Sequence, residues 1–476
     1  MNKKLQVFLV GLILILGFAV RLYRFDSPIA DWHSWRQADT SAVSRNFVKS
    51  GFDLLHPRFD DLSNVASGID NPQGYRFVEF PIYNLFQAGL FTVFDGLTIE
   101  EWGRVVSILA SLLSILFIYL IVKKHADNLS GLISAFFFAF LPYSIYYGRT
   151  ILADQTMVAA ILGGIYFFDL FLNGKSKSRL FFILSLIFTL AAFLLKPYAL
   201  FFTLPIIYLS FDKFRLSIFK KWYLWLYLIL SIVPLFLWRA WMAQYPQGIP
   251  VSAWLFNEGN IRFTGSFFYW IFADRIGRLI LGFWGLFIFG LGFLKILPRK
   301  KFLFFLSFLI SSLFYLFVMA RGNVQHDYYQ ILIIPTIAIY LGLGGSFLLT
   351  FKNTSKIMTR VLFVVFVLFS LAFSWFYVRD YFNIVNRSIV IAGEAVDKLV
   401  PKDAKVIANY NGDTSFLYQT KRQGWASFEK PLPEMVRLGA DYLILVNPTK
   451  EDLGISKEYK IVSLAKEYVI FDLHQK

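Results

Sequence analysis

The ten residues Asp31-Trp32-His33-Ser34-Trp35-Arg36-Gln37-Ala38-Asp39-Thr40 hold two carboxylates, an imidazole, a guanidinium and two indoles. A carboxylate within reach of a hydroxyl takes its proton as a new bond forms, a guanidinium steadies a phosphate, and indoles line a sugar or lipid site. Individual members have plainer readings: Asp39 would N-cap a following helix, and Trp32 and Trp35 would anchor at a membrane interface. Those readings leave His33, Arg36 and Gln37 unexplained, so the cluster as a whole reads as a site. Asp31 and Asp39 are its candidate catalytic carboxylates.

Further along, Arg149-Thr150-Ile151-Leu152-Ala153-Asp154 sets a cation and a carboxylate at the junction of two hydrophobic stretches. They pair with each other in the plain reading; in the functional one Asp154 orients an acceptor or a catalytic group. Glu79 begins an apolar stretch, where the helix dipole alone would favour it. Lys196, before Pro197, stands at a span end where lysine is otherwise avoided, which makes it a candidate phosphate ligand. Arg321 and His326-Asp327-Tyr328-Tyr329 precede a late hydrophobic stretch; the tyrosines suit either a substrate contact or an interfacial role.

These residues need a scaffold, and the composition dictates which kind. A 476-residue chain that is 57% hydrophobic and 16% charged has too little polar surface for a soluble globule and reads as a polytopic membrane protein. The net charge of +16 sits in short loops beside hydrophobic runs, where the positive-inside rule accounts for it and nucleic acid does not. With no cysteine, disulfides, thiolate metal sites and cysteine nucleophiles are excluded.

Eleven stretches are read as spans: 5–20, 103–122, 129–147, 154–172, 179–195, 197–211, 223–241, 277–297, 302–318, 330–350 and 361–378. The first follows a basic start but no small-residue cleavage site, so it is read as a retained span with a cytoplasmic N-terminus. Lys3, Lys4, Lys123, Lys124, Lys175, Lys177, Lys220, Lys221, Lys300, Lys301, Lys352 and Lys356 then all fall inside. The opposite face collects nearly all acidic residues outside the C-terminal tail, which places the chemistry there. Residues 1–378 form the expected transmembrane domain, including the outer loop 21–102, and 379–476 an extracytoplasmic α/β domain.

In the outer loop, Asp39 to Gly51 has the spacing of an amphipathic helix at Ala42, Val43, Phe47 and Val48. Glu79 to Phe94 reads as a second, with Tyr83, Leu85, Phe86, Leu90 and Phe91 on its apolar side. Counting it as a span would put the lysines outside, so it is assigned to the interface. After the last span, a helix over Ile389–Val400 and another over Pro433–Leu438 alternate with strands at Lys405–Ala408, Tyr442–Val446, Lys460–Leu464 and Tyr468–Leu473.

The long first loop with its early acidic cluster, the Arg-x4-Asp turn and the His-Asp-Tyr-Tyr…Pro segment resemble membrane glycosyltransferases of the type C fold. Within them the chain is similar to the protein O-mannosyltransferase and lipid A aminoarabinose transferase group, especially bacterial members with a Trp-His-Ser-Trp-Arg-Gln segment. The resemblance covers about the first 340 residues. It implies an all-α polytopic fold of about 11 spans in a bacterial plasma membrane. The implied activity moves a sugar from a polyprenyl phosphate to a protein, lipid or glycan acceptor on the outer face.

Many relatives carry an Asp-Glu pair in the first loop. With Ser44-Arg45-Asn46-Phe47 in register with the end of the relatives' helix, Arg36 and Gln37 occupy its place. The base is then Asp31 or Asp39, with Asp31 favoured because Asp39 has the capping role; Asp154 matches the second acidic motif. Arg36, Arg149, Lys196 and Arg321 would meet charge developing on the leaving phosphate. His33, Trp35, Gln37, Glu79, His326, Asp327, Tyr328 and Tyr329 complete the expected substrate contacts. No cofactor is identified, and a divalent metal ion stays an open alternative: the carboxylates suffice for one, although no histidine-rich ligand spacing exists. A surface-polysaccharide polymerase or ligase is the nearest rival, and a lipid-linked sugar flippase the next.

Overall fold

The computed structural model describes residues 2–174 and 178–475, so the loop lysines Lys175 and Lys177 lie outside the described residues. The chain forms two compact units. One comprises residues 1–23, 105–238 and 252–380; the other comprises 24–104, 239–251 and 381–476. The outer loop, grouped from the sequence with the membrane domain, thus packs with the C-terminal residues.

The first unit is helical. Among the described residues of the chain, eight helices are long and apolar enough to cross a membrane: Lys3–Arg21, Ile99–His125, Ala153–Asn173, Ser178–Leu195, Trp222–Met242, Arg299–Val318, Asp327–Thr350 and Lys356–Leu399. The expected span at 277–297 is not straight. The helices Gly265–Ile280 and Gly285–Leu294 meet at 110°, and would make a ninth if counted as one. Gly282 at the bend has φ +53, and a Cβ there would lie 2.4 Å from the Ser370 carbonyl, so the turn requires glycine twice over.

Two other expected spans are broken. Residues 129–147 divide into Asn128–Phe140 and Pro142–Tyr147, because a proline disfavours helix at the residue before it. Residues 197–211 begin as a 3₁₀ turn, Pro197–Thr203, and become α-helix at Leu204–Phe214. Close helix contacts rely on small residues: a Cβ on Gly342 would lie 1.9 Å from Ser134 Oγ, and one on Gly344 would lie 1.8 Å from the Ile288 carbonyl.

The lysine end of this unit also carries acids. Lys124 Nζ and His125 Nε2 each stand 2.8 Å from Asp169, Lys295 Nζ stands 3.1 Å from Asp127, and Lys300 pairs with Asp212 at 2.9 Å. The expected segregation of acids to the other face was therefore too strong: these carboxylates are kept by the cations beside them.

The second unit holds a five-stranded sheet of β1 (Val406–Ala408), β2 (Gly424–Trp425), β3 (Tyr442–Val446), β4 (Lys460–Leu464) and β5 (Tyr468–Asp472), in the order β2-β1-β3-β5-β4. β1 pairs parallel with β2 and β3, and β5 pairs antiparallel with β3 and β4. The helix Arg387–Leu399 covers one face through Ile389, Ala392 and Val396, which pack with Val406, Ile444 and Ile470. The outer loop extends the sheet: Leu62 N–H donates to the Gly424 carbonyl at 2.7 Å, and Gly424 N–H donates to the Asp60 carbonyl at 3.0 Å.

The same unit contains the helices Ser34–Ser50 and Ile82–Val93. The first starts five residues earlier than expected, and Asp39 lies within it instead of capping it; His33, at φ 53, takes the cap position. It is buried on nearly all sides. The second starts after Glu79, so no acid occupies its first turn. It turns Asn84 and Gln87 inward and leaves Leu85, Phe86 and Val93 exposed. At 12 residues, about 18 Å, it is too short to cross a bilayer.

Candidate active site

The polar helix Ser34–Ser50 survives burial because nearly every group it brings inside has a partner. Arg36 meets Glu79 at 2.5 Å, and Asp39 is held by Arg76 at 2.5 Å and by the Thr414 hydroxyl at 2.7 Å. Ser44 Oγ donates to Gln87 Oε1 at 2.8 Å, while Gln87 Nε2 donates to Ser41 Oγ at 3.0 Å. Arg45 pairs with Asp60 and lies 4.0 Å from the centre of the Tyr418 ring.

Asp31 sits just before this helix, 1% exposed, and accepts from Gln37 Nε2 at 2.7 Å. It lines a cavity of about 170 Å³ together with Trp32, His33 and Trp35. Trp32 stacks on Tyr381 at 4.9 Å and keeps 40% of its surface exposed. The remaining wall comes from the C-terminal residues, among them Asn386, Tyr410, Asp413 and Ser415. Asp39 is not among the lining residues.

Charge is tightly packed here. Burial pushes the Asp61 carboxyl up to about 7 against the two hydrogen bonds it accepts from Ser63, with Asp39 and Glu429 adding to the rise. Burial also raises Asp413, opposed by its bonds from Ser415 and assisted by Asp39. Arg76 is lowered by burial, with Asp39 opposing.

The membrane unit gathers a second group. Asp154 lies in the first turn of the helix Ala153–Asn173, and Lys196 Nζ stands 2.9 Å from its Oδ2 with both side chains buried. The exception noted for Lys196 thus has a local cause, a buried carboxylate beside it. Arg149 is buried, with its guanidinium 5.7 Å from the Tyr146 ring centre. Asp327 accepts from the Tyr147 hydroxyl at 2.6 Å, and its carbonyl accepts from the Tyr143 hydroxyl at 2.5 Å. Tyr328 and Tyr329 stack at 4.6 Å, and His326 stacks on Tyr328 at 5.5 Å. Arg321 lies on the short helix Ala320–Gln325 with its Nε buried and without a hydrogen-bond partner.

The sequence reading missed Asp61, Arg76, Tyr410, Asp413, Thr414 and Ser415. None carries a local signal; only the pairing of the outer loop with the sheet brings them to the Asp31–Asp39 segment. For a metal, no group of three or more His, Cys, Asp or Glu is suitably placed among the described residues. Asp39 and Asp154 are already met by Arg76 and Lys196.

Residues 78–241 match the family described as dolichyl-phosphate-mannose-protein mannosyltransferase. No curated protein matches the chain by sequence. Among solved structures, the chain is similar to ArnT from Cupriavidus metallidurans bound to undecaprenyl phosphate, with 14% identity, a TM-score of 0.65, and 99% of this chain and 98% of that chain covered. It is also similar to the oligosaccharyltransferase of Archaeoglobus fulgidus tethered with an acceptor peptide, at 11% identity and a TM-score of 0.60, covering 100% of this chain and 74% of that one. The archaeal oligosaccharyltransferase AglB in complex with an inhibitory peptide and a dolichol-phosphate matches at 10% identity and a TM-score of 0.55, with 96% and 70% covered. The chain has the type C glycosyltransferase fold, with a small C-terminal sheet, and is an integral membrane protein. These matches agree with the group that the sequence motifs suggested.

Proposed function

We propose that the chain transfers a sugar from a polyprenyl phosphate to an acceptor hydroxyl at the outer face of the membrane. The observation that carries this reading is the cavity lined by Asp31, Trp32, His33 and Trp35, beside buried guanidinium–carboxylate pairs, in a chain of this fold. The ArnT structure similar to it along nearly its whole length is bound to undecaprenyl phosphate.

The proposed step is a direct displacement. The acceptor oxygen attacks the anomeric carbon as the carbon–oxygen bond to the phosphate breaks, and the electron pair leaves on the phosphate of the lipid. The acceptor's proton passes to a carboxylate. Asp31 is the proposed base because it faces the cavity. Asp39, committed to Arg76 and Thr414, is a positioning residue. Arg36, oriented by Glu79, is offered to the leaving phosphate; Lys196, oriented by Asp154, is a second proposed contact for a lipid phosphate in the membrane unit.

The test is an assay of the purified protein with radiolabelled polyprenyl-phosphate sugars, followed by identification of what becomes labelled. Transfer by the wild type and its loss in Asp31→Asn support the reading. A wild-type rate in Asp31→Asn removes Asp31 from the role.

A further inference from the structure

We infer that the C-terminal α/β residues build half of a binding site for a single sugar ring, so that the sheet-bearing unit is a carbohydrate-recognition element. This rests on the proposed transfer only for its biological setting; the binding itself is independent of it.

The cavity of about 170 Å³ beside Asp31 has two walls. The outer loop supplies the aromatic wall of Trp32 and Trp35, on which the C–H face of a pyranose or furanose packs. The C-terminal residues supply the polar wall of Asn386, Tyr410, Asp413 and Ser415. Tyr410 Oη accepts from Asn386 Nδ2 at 3.2 Å, which fixes the position of both groups. Asp413 Oδ1 accepts from Ser415 N–H at 2.8 Å, which aligns the carboxylate. Ser415 Oγ lies fully buried beside Asp413 on the same wall.

The lining chemistry selects the ligand class. The cavity walls contain carboxylates, hydroxyls, an amide, an imidazole and indoles, but no lysine or arginine. A phosphate or carboxylate ligand would lack a cation there and face Asp31 and Asp413. A polyhydroxylated ring brings several donors to those acceptors and an apolar face to the indoles, the combination of apolar lining and a few convergent polar groups that ligand pockets use. The bound ring belongs either to the lipid-linked donor or to a glycan acceptor.

The experiment is ligand-observed saturation-transfer NMR on the full chain in lipid nanodiscs, titrated with methyl glycosides, neutral and amino-bearing, in the absence of lipid donor. We expect saturable binding of at least one glycoside. Tyr410→Phe and Ser415→Ala should each weaken it about threefold to tenfold, the loss of one hydrogen bond. Val7→Ala, on the exposed face of the first helix, should leave it unchanged. No saturable binding of any glycoside, or unchanged binding in both cavity variants, overturns the inference. Tyr410→Phe keeps the test decisive if Ser415→Ala fails to fold. A second arm adds radiolabelled polyprenyl-phosphate sugar. Label appearing on the glycoside identifies an acceptor ring, and glycoside competing with the lipid-linked sugar identifies a donor ring; both support the site. Because binding is read without donor, failure of the transfer reading and failure of this inference are separate results.

Discussion

The helices Lys3–Arg21 and Ser34–Ser50 are close in sequence and opposite in design. The first buries only Gln6, Val10, Gly17 and Arg21 and leaves Leu5, Val7, Phe8, Leu12 and Ile15 exposed. The second buries Arg36, Gln37, Asp39, Ser41, Ser44 and Arg45. For the first, the surroundings that suit the exposed side chains are hydrocarbon, so its apolar face needs no protein partner. For the second, each buried polar group must be met inside the protein, and a missing partner leaves a charge stranded. The membrane helix therefore tolerates change on its outer face, while the site helix fails when one member of a pair is removed.

That contrast is broken most severely by changing the site itself. Asp31→Asn should reduce transfer about 10²- to 10⁴-fold, the range expected for loss of a general base, in single-turnover measurements on folded protein. Next, Arg76→Met strands Asp39 in the interior and should destabilise the sheet-bearing unit by about 3–5 kcal/mol, read by denaturant unfolding. The double variant Arg76→Met/Asp39→Leu should recover most of that loss, because a matched apolar pair leaves no buried charge. Failure of the double variant to recover would place the cost in packing instead.

A smaller effect comes from Asp61. Its carboxyl is raised from the ordinary 3.8 to about 7, so the folded state holds a proton that the unfolded state has lost across that interval. Stability is then full below about 4, declines as pH rises towards 7, and levels off above it. Asp61→Asn should flatten that slope; an unaltered slope would assign it to another group. Smallest of all, Val7→Ala on the exposed face of Lys3–Arg21 should change stability by less than about 0.5 kcal/mol.

The two regions also differed in how far the sequence revealed them. The long apolar runs announced most of the membrane helices, and the short β-rich runs at Tyr442–Val446 and Lys460–Leu464 became β3 and β4 as read. Reading failed where tertiary partners override local preference. Gly424–Trp425 is too short to show as a strand, and the polar Ser34–Ser50 helix looks half-solvated until its partners at Glu79, Arg76 and Thr414 are known. Asp39 resembled a cap because an aspartate before a helical pattern usually is one. The helix in fact starts earlier, after His33 in its left-handed conformation. Asp31 is proposed as the base on a different ground from the one the sequence offered: it lines the cavity, and Asp39 does not. Asp413 and Ser415 were illegible because about 380 residues separate them from the segment they join.

The most direct measurement compares wild type and Asp31→Asn in transfer of radiolabel from a polyprenyl-phosphate sugar to a methyl glycoside or an endogenous acceptor. The account predicts label moving off the lipid with the wild type and at least about 100-fold slower with Asp31→Asn. No transfer by the wild type from any polyprenyl-phosphate sugar, or equal rates for the two proteins, would contradict it.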